Sequence, residues 1–234
     1  MIKENISQIR KRIALVCQRI ERDPESLTIV AISKMRSVKD ILSAKEAGIT
    51  DIGENRVQEA LGKYKEIGAL RLDMSLRWHL VGRLQTNKVK YAVKIFDLIH
   101  SVDSLRLAQE IDKEAKRIDK VQDILVEVKT SPEMTKSGIN PEGMPQFIRS
   151  IGEFKNIKTI GLMTIAPLVS IPEEARKYFK ALKQLKDKIN ALRITDNTLH
   201  ILSMGMTDDF EVAIEEGSNM VRLGRALFGD QSGD

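Results

Sequence analysis

Two apolar rhythms alternate along the chain. Near the start, Ile6, Ile9, Ile13, Val16 or Cys17, and Ile20 fall at helical spacing, and Asp23-Pro24 ends that pattern. Short β-rich runs follow: LTIVAIS (27–33), ITDIG (49–53), RWHLVG (77–82), LIHSVD (98–103), DILVEVK (123–129), IKTIGLM (157–163), TLHILSM (198–204) and NMVRLG (219–224). Helical patterns separate them, among them SVKDILSAKEAG (37–48), SLRLAQEIDKEAKRI (104–118) and PEEARKYFKALKQLKDKI (172–189). Of these eight strand candidates, seven lead into a helical pattern and the eighth only into RALFG.

Strands alternating with helices predict parallel pairing through right-handed crossovers. Eight such units fit a closed α/β barrel of the (β/α)8 TIM type, with an extra N-terminal helix. An open doubly wound sheet is the alternative. No Gly/Ser linker or shift in composition divides the chain, so residues 1–234 are expected to form a single domain, with 230–234 a loose tail.

Composition narrows the function classes. The 234 residues are 42% hydrophobic and 30% charged, a globular balance with room for a large core. No apolar run approaches the ~20 residues of a membrane span. The start, MIKENISQIRKRI, is charged throughout and does not read as a secretory leader. The single cysteine, Cys17, excludes an internal disulfide and a cysteine-based zinc site, and it sits on an apolar face as a small hydrophobe. A cytoplasmic protein is the natural reading. The net charge of +5 raises the question of nucleic acid. However, the densest basic stretch, RKYFKALKQLKDKI, has its lysines opposite Phe179, Leu182, Leu185 and Ile189, and aromatics are only 4%. A solvated helix face explains it, so neither nucleic acid nor membrane is an expected partner.

In such barrels, chemistry gathers at the C-terminal strand ends. The first apolar run closes on Lys34, which shares side-chain parity with Thr28, Val30 and Ile32. If that face points inward, the amine lies in a semi-apolar cavity, where desolvation frees its lone pair for Schiff-base chemistry. The plain alternative is a strand-end lysine reaching solvent. Runs seven and eight end in the glycine turns SMGM and RLGR, and loops at these places commonly bind phosphate. There Ser203 can donate a hydroxyl, and Gly205 and Gly224 let backbone N–H groups approach an anion. The stretch TDDFEVAIEEG begins a helix with Thr207 or Asp208 as N-cap, and Asp208 and Asp209 read as caps or solvent contacts. Met220, Arg222 and Gly224 share one face of run eight, which turns Arg222 inward, toward a salt bridge or a ligand's ring nitrogen or acid group. An amine, a phosphate cradle and an inward arginine at one mouth suit pyridoxal 5′-phosphate.

Other residues compete less well. Lys129 ends run five and is a weaker rival for the Schiff base; Lys136 lies in the loop KTSPEMTKSGINPEG. His79, His100 and His200 sit on three different runs and read as ordinary barrel histidines, so no metal is expected. Trp78 should face away from His79 and pack under a helix. Glu215-Glu216 reads as solvated surface.

The blocks VAISKMRSV, DIGENRVQEAL, RWHLVGRLQTNK, IHSVDS, KSGI, IGLMTIAP, ILSMGMTDDFEVAI and GSNMVRLGRALFG run in order along nearly the whole chain. Through them the sequence resembles the pyridoxal-phosphate homeostasis protein family, which looks like the barrel domain of alanine racemase without its second, β-rich domain. The resemblance implies residue roles. Lys34 falls on the family's Schiff-base lysine. Ser203 and the backbone of Gly205, with Gly224 and Arg225, fall on the phosphate-binding turns. Arg222 falls beside the pyridine nitrogen, and Asn55, His79 and Met163 on positions lining the cofactor. Ile52 stands where an aromatic is common, and Arg83 and Arg225 at variable positions, so Arg225 is expected to give phosphate only its backbone N–H.

An arginine beside the ring nitrogen disfavours protonation there and leaves a weak electron sink. The expected role is therefore binding and buffering of the cofactor in vitamin B6 and amino-acid homeostasis, without robust turnover. Pyridoxal-phosphate-dependent apo-enzymes are possible transient partners, and the lack of a racemase-type second domain favours a monomer. Three alternatives stay open: a weak amino-acid racemase, a class I aldolase-like barrel using Lys34, and a non-catalytic interaction module.

Overall fold

The computed structural model of the protein describes residues 1–70, 75–131, 137–195 and 198–230; Lys136 and the tail residues 231–234 lie outside the described residues. Eight parallel strands close on themselves in chain order. They are β1 (Thr28–Ile32), β2 (Asp51–Glu54), β3 (Arg77–Leu80), β4 (Leu98–Val102), β5 (Gln122–Glu127), β6 (Ile157–Met163), β7 (Ile201–Ser203) and β8 (Met220–Leu223). The seam pairs Thr28 with Met220 and Val30 with Arg222. The closed barrel is borne out and the open sheet is not.

The strand period of two sorts the core. Val30, Val81, Leu98, Leu125, Ile160, Met163 and Met220 fill the barrel interior. Their neighbours, including Ala31, Ile52, Trp78, Ile99, Val221 and Leu223, pack outward in the layer beneath the helices. Trp78 faces away from His79, as expected, with its ring edge-on to Tyr64, the centroids 5.7 Å apart.

The helices are α1 (Ile2–Arg19), α2 (Val38–Glu46), α3 (Val57–Ala69), α4 (Val89–Ile95), α5 (Leu105–Lys116), α6 (Met144–Ile151), α7 (Arg176–Leu192), α8 (Phe210–Glu215) and α9 (Arg225–Phe228). The last is a single turn, too short to cover its strand. Helix α1 takes over that duty, packing against α2, α8 and α9. Its Ile6, Ile9, Ile13, Val16 and Cys17 are buried. Asn5 donates to the Leu227 carbonyl at 3.0 Å, and Arg12 and Arg19 pair with Glu211 and Glu215.

One expected strand is much shorter. The seventh run was read as 198–204, but only Ile201–Ser203 pair as strand. Single backbone bonds flank it, His200 N to Ile160 O and Met204 N to Met220 O, and asparagine side chains add others: Asn190 bonds both backbone groups of Leu199, while Asn219 accepts from Leu202 N and donates to His200 O. Helix α8 also begins later than expected. Asp209 occupies the N-cap position and accepts from Met206 N at 2.6 Å, so neither Thr207 nor Asp208 is the cap.

Candidate functional site

Strand β1 stops at Ile32, Ser33 N donates to Gly53 O at 2.9 Å, and Lys34-Met35 form a turn in which Met35 takes φ 56°. Lys34 is exposed. The semi-apolar cavity expected around it is therefore corrected: the chain turns out of the strand before Lys34, leaving the amine at the open mouth.

A buried ion cluster braces this turn from behind. Lys63 Nζ lies 2.7 Å from Glu54 and from Glu59, and donates to the Ser33 carbonyl at 2.5 Å. Ser33 Oγ donates to Glu54 at 2.5 Å, and Glu59 accepts from Met35 N. Both residues flanking Lys34 are thus tied to carboxylates that Lys63 neutralises. Burial lifts the Glu54 carboxyl above its ordinary range despite the bonds from Lys63 and Ser33.

Arg222 points into the barrel and is buried. Its Nη1 donates to Ser203 O and Oγ, both at 2.7 Å, and its Nη2 to Thr164 O at 2.8 Å. Among the described residues no carboxylate lies within ion-pair distance of it. Desolvation lowers its pKa to about 10, against the attraction of Asp209 and Glu127, so it stays charged near neutrality. Nε–H and one hydrogen of Nη2 are left for another acceptor.

Below Arg222 runs a hydrogen-bond chain that crosses the interior. Ser203 Oγ lies 3.0 Å from His100 Nδ1, His100 Nε2 lies 3.0 Å from His79 Nδ1, and His79 Nε2 lies 2.9 Å from Asp51 Oδ1. A guanidinium can only donate and a carboxylate can only accept. With neutral rings the direction follows: Arg222 to Ser203, Ser203 to His100, His100 to His79, His79 to Asp51. Burial, with help from His79 and Arg222, holds His100 well below the ordinary histidine range. Two of the three histidines therefore act together, while His200 is exposed and apart. The sequence pattern reads His100 only as an ordinary barrel histidine and gives no sign of Asp51, yet both hold this chain together.

The turns after β7 and β8 lie beside this arginine. Gly205 takes φ 94°, and a Cβ there would come within 2.6 Å of Ala213 Cβ, so a side chain is excluded twice over. Arg225 pairs with Asp208 at 2.6 Å, which occupies its guanidinium. Asn55 packs against Gly82 so closely that a Cβ on Gly82 would sit 2.4 Å from Asn55 O. Met163 is buried in the interior cluster beneath the mouth. Glu215 and Glu216 are not free surface: both pair with Arg176, at 2.6 and 2.8 Å.

Glu127, at the end of β5, passed unnoticed in the sequence. Only 8% of it is exposed, and its carboxyl has no hydrogen-bond or ion-pair partner among the described residues. Burial first, and Asp103 second, raise its pKa to about 7, while Arg222 and Arg83 pull it down. The signal was available: it shares the inward parity of Leu125, as Arg222 shares that of Met220.

This barrel, with a lysine turn after its first strand and an inward arginine on its last, is of a known class: residues 4–232 match the family model described as "Alanine racemase, N-terminal domain". Alanine racemase of Clostridium difficile 630 superposes with a TM-score of 0.73 at 18% identity, covering 99% of this chain and 58% of that one, which bears on the fold alone. Nearer relatives are a protein of Aquifex aeolicus, 43% identical over 228 residues with 97% of each chain covered, and one of Escherichia coli K12, 33% identical over 97% of this chain and 96% of its own; both are named "Pyridoxal phosphate homeostasis protein". The structure of PipY from Synechococcus elongatus PCC7942 with PLP bound has a TM-score of 0.86 at 33% identity, covering 98% of this chain and all of that one. The chain belongs to the pyridoxal phosphate homeostasis protein family.

Proposed function

We propose that this protein binds pyridoxal 5′-phosphate and acts in vitamin B6 and amino-acid homeostasis, as a holder of the cofactor without robust catalytic turnover. The observation that carries the reading is Arg222, buried and charged beneath the strand ends, with donors left over after its three protein bonds. A buried cation with spare N–H groups fits an aromatic nitrogen acceptor, and Lys34 stands on the neighbouring strand's exit. The 33% identical PipY has a structure with PLP bound, which supports the same ligand here.

When bound, the cofactor supplies an aldehyde for reaction with an amine and a conjugated ring for delocalising charge. In this reading Lys34 offers the amine, held in register by the bonds to Ser33 and Met35. Arg222 donates to the ring nitrogen and, being cationic, disfavours a proton on it, which weakens the electron sink. The backbone at Gly205, Gly224 and Arg225 takes the phosphate. Ser203 contributes less directly than the sequence suggests: its hydroxyl proton goes to His100, so it serves by holding Arg222. His79 acts likewise, from below, and Asn55 and Met163 shape the wall and floor. The expected setting is the cytoplasm, as a monomer that meets apo-enzymes transiently. Among the described residues no helix is long and apolar enough to cross a membrane.

The test is an absorption spectrum of the purified protein before and after borohydride, followed by peptide mapping. A yellow protein whose reduced adduct maps to Lys34 is expected. A colourless protein that takes up no added pyridoxal phosphate overturns the reading and favours the aldolase-like alternative.

A further inference from the structure

The end of the barrel opposite the mouth carries a cavity of about 860 Å3. It opens where β1, β2 and β3 begin, at Thr28, Asp51 and Arg77, and runs along helix α1 past Ser7 and Ala14. Sites for small molecules commonly measure about 300–1,000 Å3. The lining shares no residue with the proposed cofactor site, and the cofactor reading assigns this cavity nothing.

Its floor is apolar core that the helices leave open. Ile29 has the outward parity of Ala31 and pairs with Val221 across the barrel seam. Ala31 and Val221 are fully buried, but Ile29 is only partly so, and so is Leu27 just before the strand. Ile6, Ile13 and Ile49 extend the same floor.

The rim is cationic. Lys3, Arg10, Lys11 and Arg77 line the cavity, against two carboxylates, Glu25 and Asp51. Lys3 is taken by Glu46 and Arg77 by Asp51, each at 2.9 Å. Arg10 and Lys11 have no ion-pair partner among the described residues. Arg10 is nonetheless fixed. Its Nη2 donates to the Gly48 carbonyl at 2.8 Å, and a Cβ on Gly48 would stand 2.9 Å from that same nitrogen. The guanidinium thus rests where only a glycine leaves it room, and its Nε and Nη1 keep N–H groups for an incoming acceptor. A solvated helix face accounts for Lys11 alone. It does not account for an arginine docked on a glycine beside an open patch of core.

An apolar hollow with a positive rim fits a molecule that has an apolar body and one acid group. We propose that this cavity binds a small amphipathic organic acid, with its body on Ile29 and Leu27 and its carboxylate on Arg10 and Lys11. A carboxylate alone gains little from exposed cations, so both halves of the ligand are needed. The fold supplies a reporter of occupancy. Asp51 lines the cavity and lies 2.9 Å from His79 Nε2. A negative charge entering the cavity changes the field at Asp51, and the His79 ring should sense it. His200, exposed and outside the lining, should not.

The experiment titrates octanoate into the full-length protein by calorimetry, with acetate as the acid group alone and octanol as the body alone. Octanoate is expected to bind at least roughly tenfold more tightly than either. The double variant Arg10→Met, Lys11→Met should weaken octanoate at least roughly tenfold and leave octanol unaffected. Ala14→Trp, at an exposed position of the lining, should block both. Thermal midpoints confirm that each variant is folded. In NMR spectra the His79 ring signals should shift with octanoate in the wild type and stay fixed in Ala14→Trp, while those of His200 stay fixed in both. Octanoate binding no tighter than octanol, a folded variant within about twofold of wild type, or an unmoved His79 overturns the site. The cofactor reading is tested apart from it: Lys34→Ala should bind octanoate as the wild type does, and a loss there would place the acid at the mouth and overturn the proposal.

Discussion

Lys63 meets Glu54 at 2.7 Å directly behind the turn that presents Lys34, and the Glu54 side chain has no exposure at all. Its second oxygen, Oε2, has no hydrogen-bond partner, so Lys63 and Ser33 are what make the charge tolerable. Removing one member of such a pair costs about 3–5 kcal/mol, because the other stays buried and uncompensated. Lys63→Met should therefore lower the unfolding free energy by about that amount in urea. It should also slow borohydride-trappable loading at Lys34, since the Ser33 carbonyl loses its anchor. Unchanged loading kinetics in a folded variant would mean the turn needs no brace.

Lys34→Ala removes the only group proposed to bond covalently to the cofactor. The variant should keep its thermal midpoint, because Lys34 is exposed, and should lose the borohydride-stable adduct completely. An adduct that survives on another lysine would reassign the site, with Lys129 the first place to look.

Arg222→Met leaves Thr164 O without its donor in the barrel interior, while Ser203 O keeps the Thr164 N–H. A loss of about 1–3 kcal/mol is expected from that unsatisfied carbonyl. Arg222→Lys should recover only part of it, because an ammonium group cannot span both carbonyls as the planar fork does. Denaturant melts of the two variants give the comparison.

Glu127 should leave a mark on the pH dependence of stability. Its carboxyl titrates near 4.5 when unfolded and about 7 when folded, so the folded protein binds the extra proton between those values. Stability should therefore fall as pH rises from roughly 4.5 to 7, by up to about 3 kcal/mol. Glu127→Gln should flatten that slope and be the more stable protein at alkaline pH. A wild-type profile with no decline over this window would show the carboxyl ionised in the fold.

Asp51 acts in the opposite sense and in a more acid window. Burial works to raise its pKa, but bonds from His79, Thr50 and Arg77 outweigh it, and the net direction is downward from 3.8. Its contribution is present above that unfolded value and is lost as pH falls through the folded one. Asp51→Asn should remove this acid-side loss and, by ending the donor chain on an amide, lower the midpoint at neutral pH. Chemical shifts of His79 and His100 would register the change of tautomer.

The fold was readable because its signals are local and repeated: β6 coincides with IKTIGLM, and the parity of Met220, Val221 and Arg222 sorts inside from outside as observed. Where the sequence reading slipped, a side chain had replaced a backbone rule. Asn190 and Asn219 supply side-chain bonds where the ladder thins around β7, and Asp209, not its neighbours, accepts from Met206 N. Lys34 was placed on the correct strand exit but given a cavity, because parity along a strand says nothing once the chain turns. The His79–His100 contact joins two strands, and no spacing in the sequence reports such a pairing. Glu127 hid within an ordinary alternation, and what distinguishes it is that no partner meets it among the described residues.

Helix α1 packs beside the final turn α9, and Met1 lies next to Gly229, 3.9 Å from where a Cβ would stand. The chain is therefore a ring in space, opened between its first helix and its last. During synthesis Lys34 emerges early, but the arginine and glycines proposed to complete its site come from the last strand. If the proposed site is right, a chain lacking its last strand has Lys34 but not its partners, and ligand competence arrives only when the ring closes.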